Sequence, residues 1–121
     1  MITDGRQIQS AIDRVLARKM YVALTRETFE EVCPHPSMAV HVLARSADEA
    51  AILLRIELAG VDPLPLSGTI AFVQSASLTM QGLERIKSAF PRSERFRAGL
   101  SVVRPAGGAV EVWFFADLSR G

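Results

Sequence analysis

The sequence predicts an α+β domain in which an antiparallel sheet of about five to six strands packs against two helices, in the order α-β-β-β-α-β-β. Three observations carry that expectation. Apolar residues recur at helical spacing in two segments, one near the N-terminus and one ending before Pro91. Several segments between and after them alternate apolar and polar positions, the period of a half-buried strand, and stretches rich in Gly and Pro separate the runs. The chain of 121 residues has the usual size of one domain, spanning residues 1–121, and 49% hydrophobic against 22% charged residues is the balance of a packed core rather than a disordered tail.

From Asp4 to Met20, the residues Ile8, Ala11, Ile12, Val15 and Leu16 form the apolar stripe of an amphipathic helix. Asp4 is placed to accept hydrogen bonds from the free amides of its first turn, and Arg18 with Lys19 suits the negative end of its dipole. Met20 to Leu24 admits a short strand and Thr25 to Val32, through a Thr28-x-x-Glu31 capping pattern, a turn of helix, and the sequence does not decide between the two. Cys33-Pro34-His35-Pro36 reads as a loop, since two prolines remove two backbone donors.

Met38 to Arg45 alternates as a strand should. Ala51 to Ala59 admits two readings. Ile52, Leu54, Ile56 and Leu58 alternate with Arg55 and Glu57, which favours a second strand joined to the first by a hairpin turn at Ser46 to Glu49. The same Ser46-Ala47-Asp48-Glu49 could instead cap a helix rich in Ala and Leu. Gly60 to Gly68 reads as a loop and Thr69 to Gln74 as a strand. A second helix opens at Ser77 or Thr79, carries Met80, Leu83, Ile86, Ala89 and Phe90 on one face, and stops at Pro91. Phe96 to Arg104 and Ala109 to Leu118 read as a hairpin closed by Pro105-Ala106-Gly107-Gly108. This order of elements is similar to that of type III secretion chaperones and of small phage tail or assembly proteins, although no motif singles out one of them.

A formal charge of +1 gives no whole-molecule field toward nucleic acid or anionic membrane. No apolar run reaches the roughly 20 residues of a spanning helix, and the N-terminus, with Asp4, Arg6, Asp13 and Arg14 among its apolar positions, does not read as a secretory signal. A single cysteine, Cys33, forbids an internal disulfide and fits a reducing, cytoplasmic compartment. The abundance of Arg over Lys and the absence of Asn fit a GC-rich bacterial genome.

Candidate chemistry is sparse. Cys33, His35 and His41 include the residue types that zinc prefers, and the same thiol could act as a nucleophile with either imidazole as base, but the spacing matches neither a zinc knuckle nor a cysteine-enzyme signature. Glu30-Glu31 and Asp48-Glu49 are adjacent pairs whose side chains point apart, as solvated surface does. Nucleophile-elbow, dinucleotide and phosphate-loop motifs are absent. No catalytic residue, metal or cofactor is therefore expected. The one basic asymmetry, Glu84 to Arg97, offers Arg92, Arg95 and Arg97 as a possible anion-binding set around Phe90 and Phe96. Seven acidic residues from Glu27 to Asp62 face only Arg45 and Arg55, which would make the molecule dipolar.

The last strand holds the strongest hint. Val110, Val112, Phe114 and Ala116 fall on one face and Glu111, Trp113, Phe115 and Asp117 on the other, so both faces are apolar at mid-strand. With helices on only one side of the sheet, Trp113 and Phe115 would face water, each forgoing about 1.5–3 kcal/mol of burial. Either a helix or the Pro63 to Pro65 loop folds over them, or a second molecule does. The functional expectation is a small non-catalytic interaction or assembly protein, a homodimer with Val112, Trp113 and Phe115 at its interface. The alternatives are an Arg-mediated binder of an anionic ligand or nucleic acid, a secretion-chaperone-like client binder, and an enzyme whose pocket is assembled from scattered residues.

Overall fold

The computed structural model describes residues 1–61 and 66–118. Eight elements follow one another: α1 (Gly5–Leu16), α2 (Arg26–Val32), β1 (Met38–Ala44), α3 (Ala47–Glu57), β2 (Leu66–Gln74), α4 (Met80–Lys87), β3 (Ser93–Ser101) and β4 (Val110–Ala116). The protein is α+β, but with four helices and a four-stranded mixed sheet in the order β1-β4-β2-β3, not the antiparallel sheet of five to six strands expected from the sequence. β4 pairs antiparallel with both β1 and β2, whereas β2 and β3 are parallel.

Three differences account for the correction. Ala47–Glu57 is a helix: Ser46 accepts a hydrogen bond from the Glu49 amide at 3.1 Å, Asp48 and Glu49 occupy the positive first turn, and Ala50, Ala51 and Leu54 are buried together. The alternation that favoured a strand is split by the helical period, which sends Leu54 and Leu58 inward and leaves Ile52 and Ile56 55% and 66% exposed. Second, β3 and β4 do not form a hairpin, because β2 lies between them. The Pro105 to Gly108 turn docks instead on the end of β1, where the Ala109 amide donates to the Ala44 carbonyl at 2.9 Å and Gly107 adopts a positive φ of 83°. Third, Met20 to Leu24 contributes only an isolated bridge between Val22 and Leu100 at the edge of β3. The element order on which the resemblance to secretion chaperones and phage assembly proteins rested is thus not the observed one.

Other expectations met the structure with small shifts. Asp4 caps α1, its Oδ1 accepting from the Arg6 and Gln7 amides at 2.9 and 3.1 Å, and Ile8, Ala11, Ile12 and Val15 are buried. α1 ends at Leu16, four residues before Met20. The capping box of α2 is built by Thr25 and Thr28 rather than by Thr28 and Glu31. β2 starts at Leu66, inside the stretch read as loop, and α4 is capped by Thr79, with Ile86 buried but Met80 75% exposed.

Helices cover both sides of the sheet. Val40, Val42, Ala71, Val73, Val112 and Phe114 pack with Ala50, Leu54 and Ile86 from α3 and α4. Ala39, Ile70, Phe72, Trp113 and Phe115 pack with Ile8, Ile12 and Val15 of α1 and Phe29 and Val32 of α2. The strand alternation read from the sequence holds, but it feeds two cores instead of one core and one wet face. Trp113 is 5% exposed and Phe115 fully buried, with Phe29 edge-on to Phe115 at 5.4 Å. The Pro63 to Pro65 loop, the other cover considered for this face, lies outside the described residues.

The α2 layer rests directly on β2, and Gly68 is the point of contact: a Cβ there would lie 1.6 Å from the Val32 carbonyl oxygen. Gly99 is also covered, but by the Leu24 side chain, whose Cγ would lie 2.6 Å from the added Cβ, rather than by backbone. Gly68→Ala should therefore cost more than the roughly 1–3 kcal/mol usual for overpacking, or prevent folding, while Gly99→Ala stays within that range. Urea denaturation of the two variants checks the order.

Candidate functional site: a polar cleft where two helices begin

The residues singled out in the sequence do not assemble into a site. Val112, Trp113 and Phe115 are sealed inside the protein. Cys33 is 1% exposed, and burial, aided by the charge of Asp117, pushes its thiol up to about 12, far from the thiolate that a nucleophile or zinc ligand requires. His35 is exposed on the loop, whereas His41 is engaged with Glu111. Among the described residues no three His, Cys, Asp or Glu side chains are gathered as metal ligands. Arg92, Arg95 and Arg97 lie at the edge strand β3 without converging: Arg95 donates to the Glu31 carbonyl near the end of α2 at 2.8 Å, Arg97 to the Phe96 carbonyl at 3.1 Å, and Arg92 is exposed. Cations along an open strand edge discourage another strand from pairing there.

Two polar constellations were not visible in the sequence. The first is centred on a buried carboxylate. Glu111 interrupts the apolar face that Trp113 and Phe115 share, and its side chain is only 8% exposed. Arg18, just beyond α1, reaches its Oε1 at 2.7 Å and also donates to Gln74 at 2.8 Å, while His41 Nε2 lies 2.8 Å from Glu111 Oε2. The imidazole is stacked on Trp113, ring centres 4.2 Å apart and 21° from parallel. The cluster ties the end of α1 to β1, β2 and β4. A lone acid within the run Val110 to Ala116 was its only trace in the sequence.

The second constellation follows from topology. Because β4 runs antiparallel to both β1 and β2, those two strands point the same way and end at the same edge of the sheet. α3 follows β1 and α4 follows β2, so both helices begin at that edge. Their first turns touch, since a Cβ on Gly82 would lie only 3.0 Å from the Ala47 Cβ. Between them opens a cleft of about 390 Å³, with Val110 of β4 in its lining.

The cleft is polar. Arg45 and Arg85 line it with Asp48 as the single acid, together with the hydroxyls of Ser46, Ser75, Ser77 and Thr79. Ser46 and Thr79 each accept one first-turn amide, from Glu49 and Gly82, which leaves the earlier amides of each helix without an intrahelical acceptor. Arg85 pairs with Asp48 across the two helices, and Arg45 binds Glu49 through Nε and Nη2 at 3.1 and 3.0 Å. Those hydrogen bonds from Arg45 hold the Glu49 carboxyl below its usual range. Two guanidiniums are matched by two carboxylates, Asp48 and Glu49, and the two positive helix ends tip this edge toward anions.

No protein-family model and no curated protein matches the sequence. Function must be argued from these groups. The cleft lies beyond the C-terminal ends of β1 and β2, whereas the Glu111 cluster joins Arg18 to β1, β2 and β4. Among the described residues no helix is long and apolar enough to cross a membrane.

Glu111 carries a pH signature. Burial pushes its carboxyl up, but hydrogen bonds from His41 and Arg18 and the charge of Arg18 outweigh it, and the net shift is downward from 4.5. A carboxyl depressed in the folded state stabilises the fold above its ordinary value and loses that contribution as pH falls through the lower, folded value. Glu111→Gln should destabilise the protein at pH 7 by no more than the low end of the roughly 3–5 kcal/mol for breaking a buried pair, because Arg18 and His41 keep 34% and 31% of their side chains in water. Urea titrations at pH 7 and pH 3.5 should show the variant losing less stability on acidification than the parent.

Proposed function

We propose that this protein binds a small anionic ligand in the cleft between the first turns of α3 and α4. The observation that carries the reading is the convergence of Arg45, Arg85 and four hydroxyl side chains on one opening of about 390 Å³ at the strand ends. Arginine offers fixed, fork-like donors suited to phosphate or carboxylate, and unsatisfied amides at a helix start favour the same charge. This keeps the anion-binding alternative raised by the sequence but moves it from Arg92, Arg95 and Arg97 to Arg45 and Arg85.

The rival reading, a homodimer or client binder using Val112, Trp113 and Phe115, loses its motive, since α1 and α2 already cover Trp113 and Phe115 and α3 and α4 cover Val112. Nucleic acid is less well supported than a small ligand: the formal charge is +1, and Arg95, central to the basic stretch, is spent on the end of α2. A chain with one cysteine, buried at that, fits the reducing interior of a bacterial cell.

Titration with orthophosphate, followed by amide chemical shifts, should perturb Ala47, Asp48, Met80 and Gln81. Arg85→Ala should weaken binding by about tenfold, the worth of one charge-assisted hydrogen bond, while joint replacement of Arg92, Arg95 and Arg97 by Ala leaves it intact. Shifts clustered on β3, or lost in the triple variant alone, would return the site to the edge strand and overturn this assignment.

A further inference from the structure

We infer that the cleft selects doubly charged, phosphate-type groups over carboxylates, because only they bring enough charge and acceptor oxygens to displace Asp48 from Arg85 and still use the other donors of the cleft. The inference rests on the reading of the cleft as an anion site and concerns which anion it takes. Both guanidiniums at the cleft already hold a carboxylate: Arg45 holds Glu49, and Arg85 holds Asp48. These partners are tethered to α3, so their effective concentration is high. A carboxylate arriving from solution would replace a tethered partner with an identical untethered one and lose its translational freedom without gaining charge.

A phosphate group is different in kind. It brings up to two negative charges and three strong acceptor oxygens. One edge can take Arg85 while the remaining oxygens accept from the cleft hydroxyls and the open first-turn amides, contacts that a planar carboxylate on Arg85 has too few oxygens to make at once. Displacing Asp48 is easy, since Arg85 and Asp48 are 57% and 62% exposed and an ion pair so wetted contributes little. Asp48 is therefore a built-in competitor that lowers the affinity of either anion alike, and the choice between them comes from the charge and oxygens they bring.

Orthophosphate, glycerol phosphate and acetate should be titrated at matched ionic strength and pH 7.5 into the parent protein, Asp48→Asn, and Arg85→Ala. In the parent, orthophosphate should bind at least about tenfold more tightly than acetate. In Asp48→Asn both affinities should rise, that for phosphate at least as much as that for acetate, because the competing carboxylate and its repulsion are both removed. A second neutral variant, Asp48→Ser, must behave the same way, which separates lost charge from a disturbed first turn. Glycerol phosphate binding at least as tightly as orthophosphate identifies a phosphomonoester ligand, the reverse order identifies free phosphate, and both uphold the inference. Equal affinities for phosphate and acetate in the parent, both lost in Arg85→Ala, would overturn the selectivity and leave the anion site standing, as would acetate overtaking phosphate in both Asp48 variants. If neither anion perturbs the cleft in any form of the protein, site and selectivity fall together.

Discussion

Strand β4 has no face that water reaches. Its even-numbered side chains enter the core beneath α3 and α4 and its odd-numbered ones the core beneath α1 and α2, while β1 and β2 take up its hydrogen bonds on either side. All seven of its residues are buried. Fixing this strand fixes everything else: β1 and β2 must run alike because each is antiparallel to it, and the helices that follow them must start at a common edge. The cleft is a consequence of where one strand sits.

Strand faces were legible in the sequence; strand neighbours were not. Alternation sorted Val110, Val112, Phe114 and Ala116 from Glu111, Trp113 and Phe115 correctly, because a two-residue period is local. Pairing is not local, and the Gly-rich turn after β3 looked like a hairpin although its strands are separated by β2. The α3 segment misled for a subtler reason. Apolar residues at every second position satisfy a strand, yet Leu54 with Leu58 and Ile52 with Ile56 are also four apart, the spacing of a helix with one buried pair and one exposed pair. Reading that segment as a strand erased one wall of the cleft, so Arg45 and Arg85, forty residues apart in sequence, gave no sign of meeting.

Glu111 shows a different limit. In composition it is one more surface acid, and only its place in a doubly buried strand makes it costly. A carboxylate there needs partners from elsewhere in the chain, and Arg18 and His41 arrive from the segment just beyond α1 and from β1. A buried ion cluster of this kind adds little net stability over apolar packing, but it penalises any register of β4 that leaves the charge unpaired. The indole beside it has no such compensation: Trp113 Nε1 is buried without a hydrogen-bond partner among the described residues, and its stacking on His41 and Phe115 is what holds the ring.

Of the four strands of the sheet, β4 is also the last to leave the ribosome. Until Val110–Ala116 emerges, β1 has no sheet partner and β2 has only β3, so two apolar layers wait with open backbone edges for a segment not yet synthesised. Long-range pairing of this sort slows folding and exposes intermediates to aggregation. A nascent chain stalled anywhere between β3 and β4 would carry nearly all of the protein's hydrophobic surface without the element that closes it, and would depend on holding chaperones for its solubility.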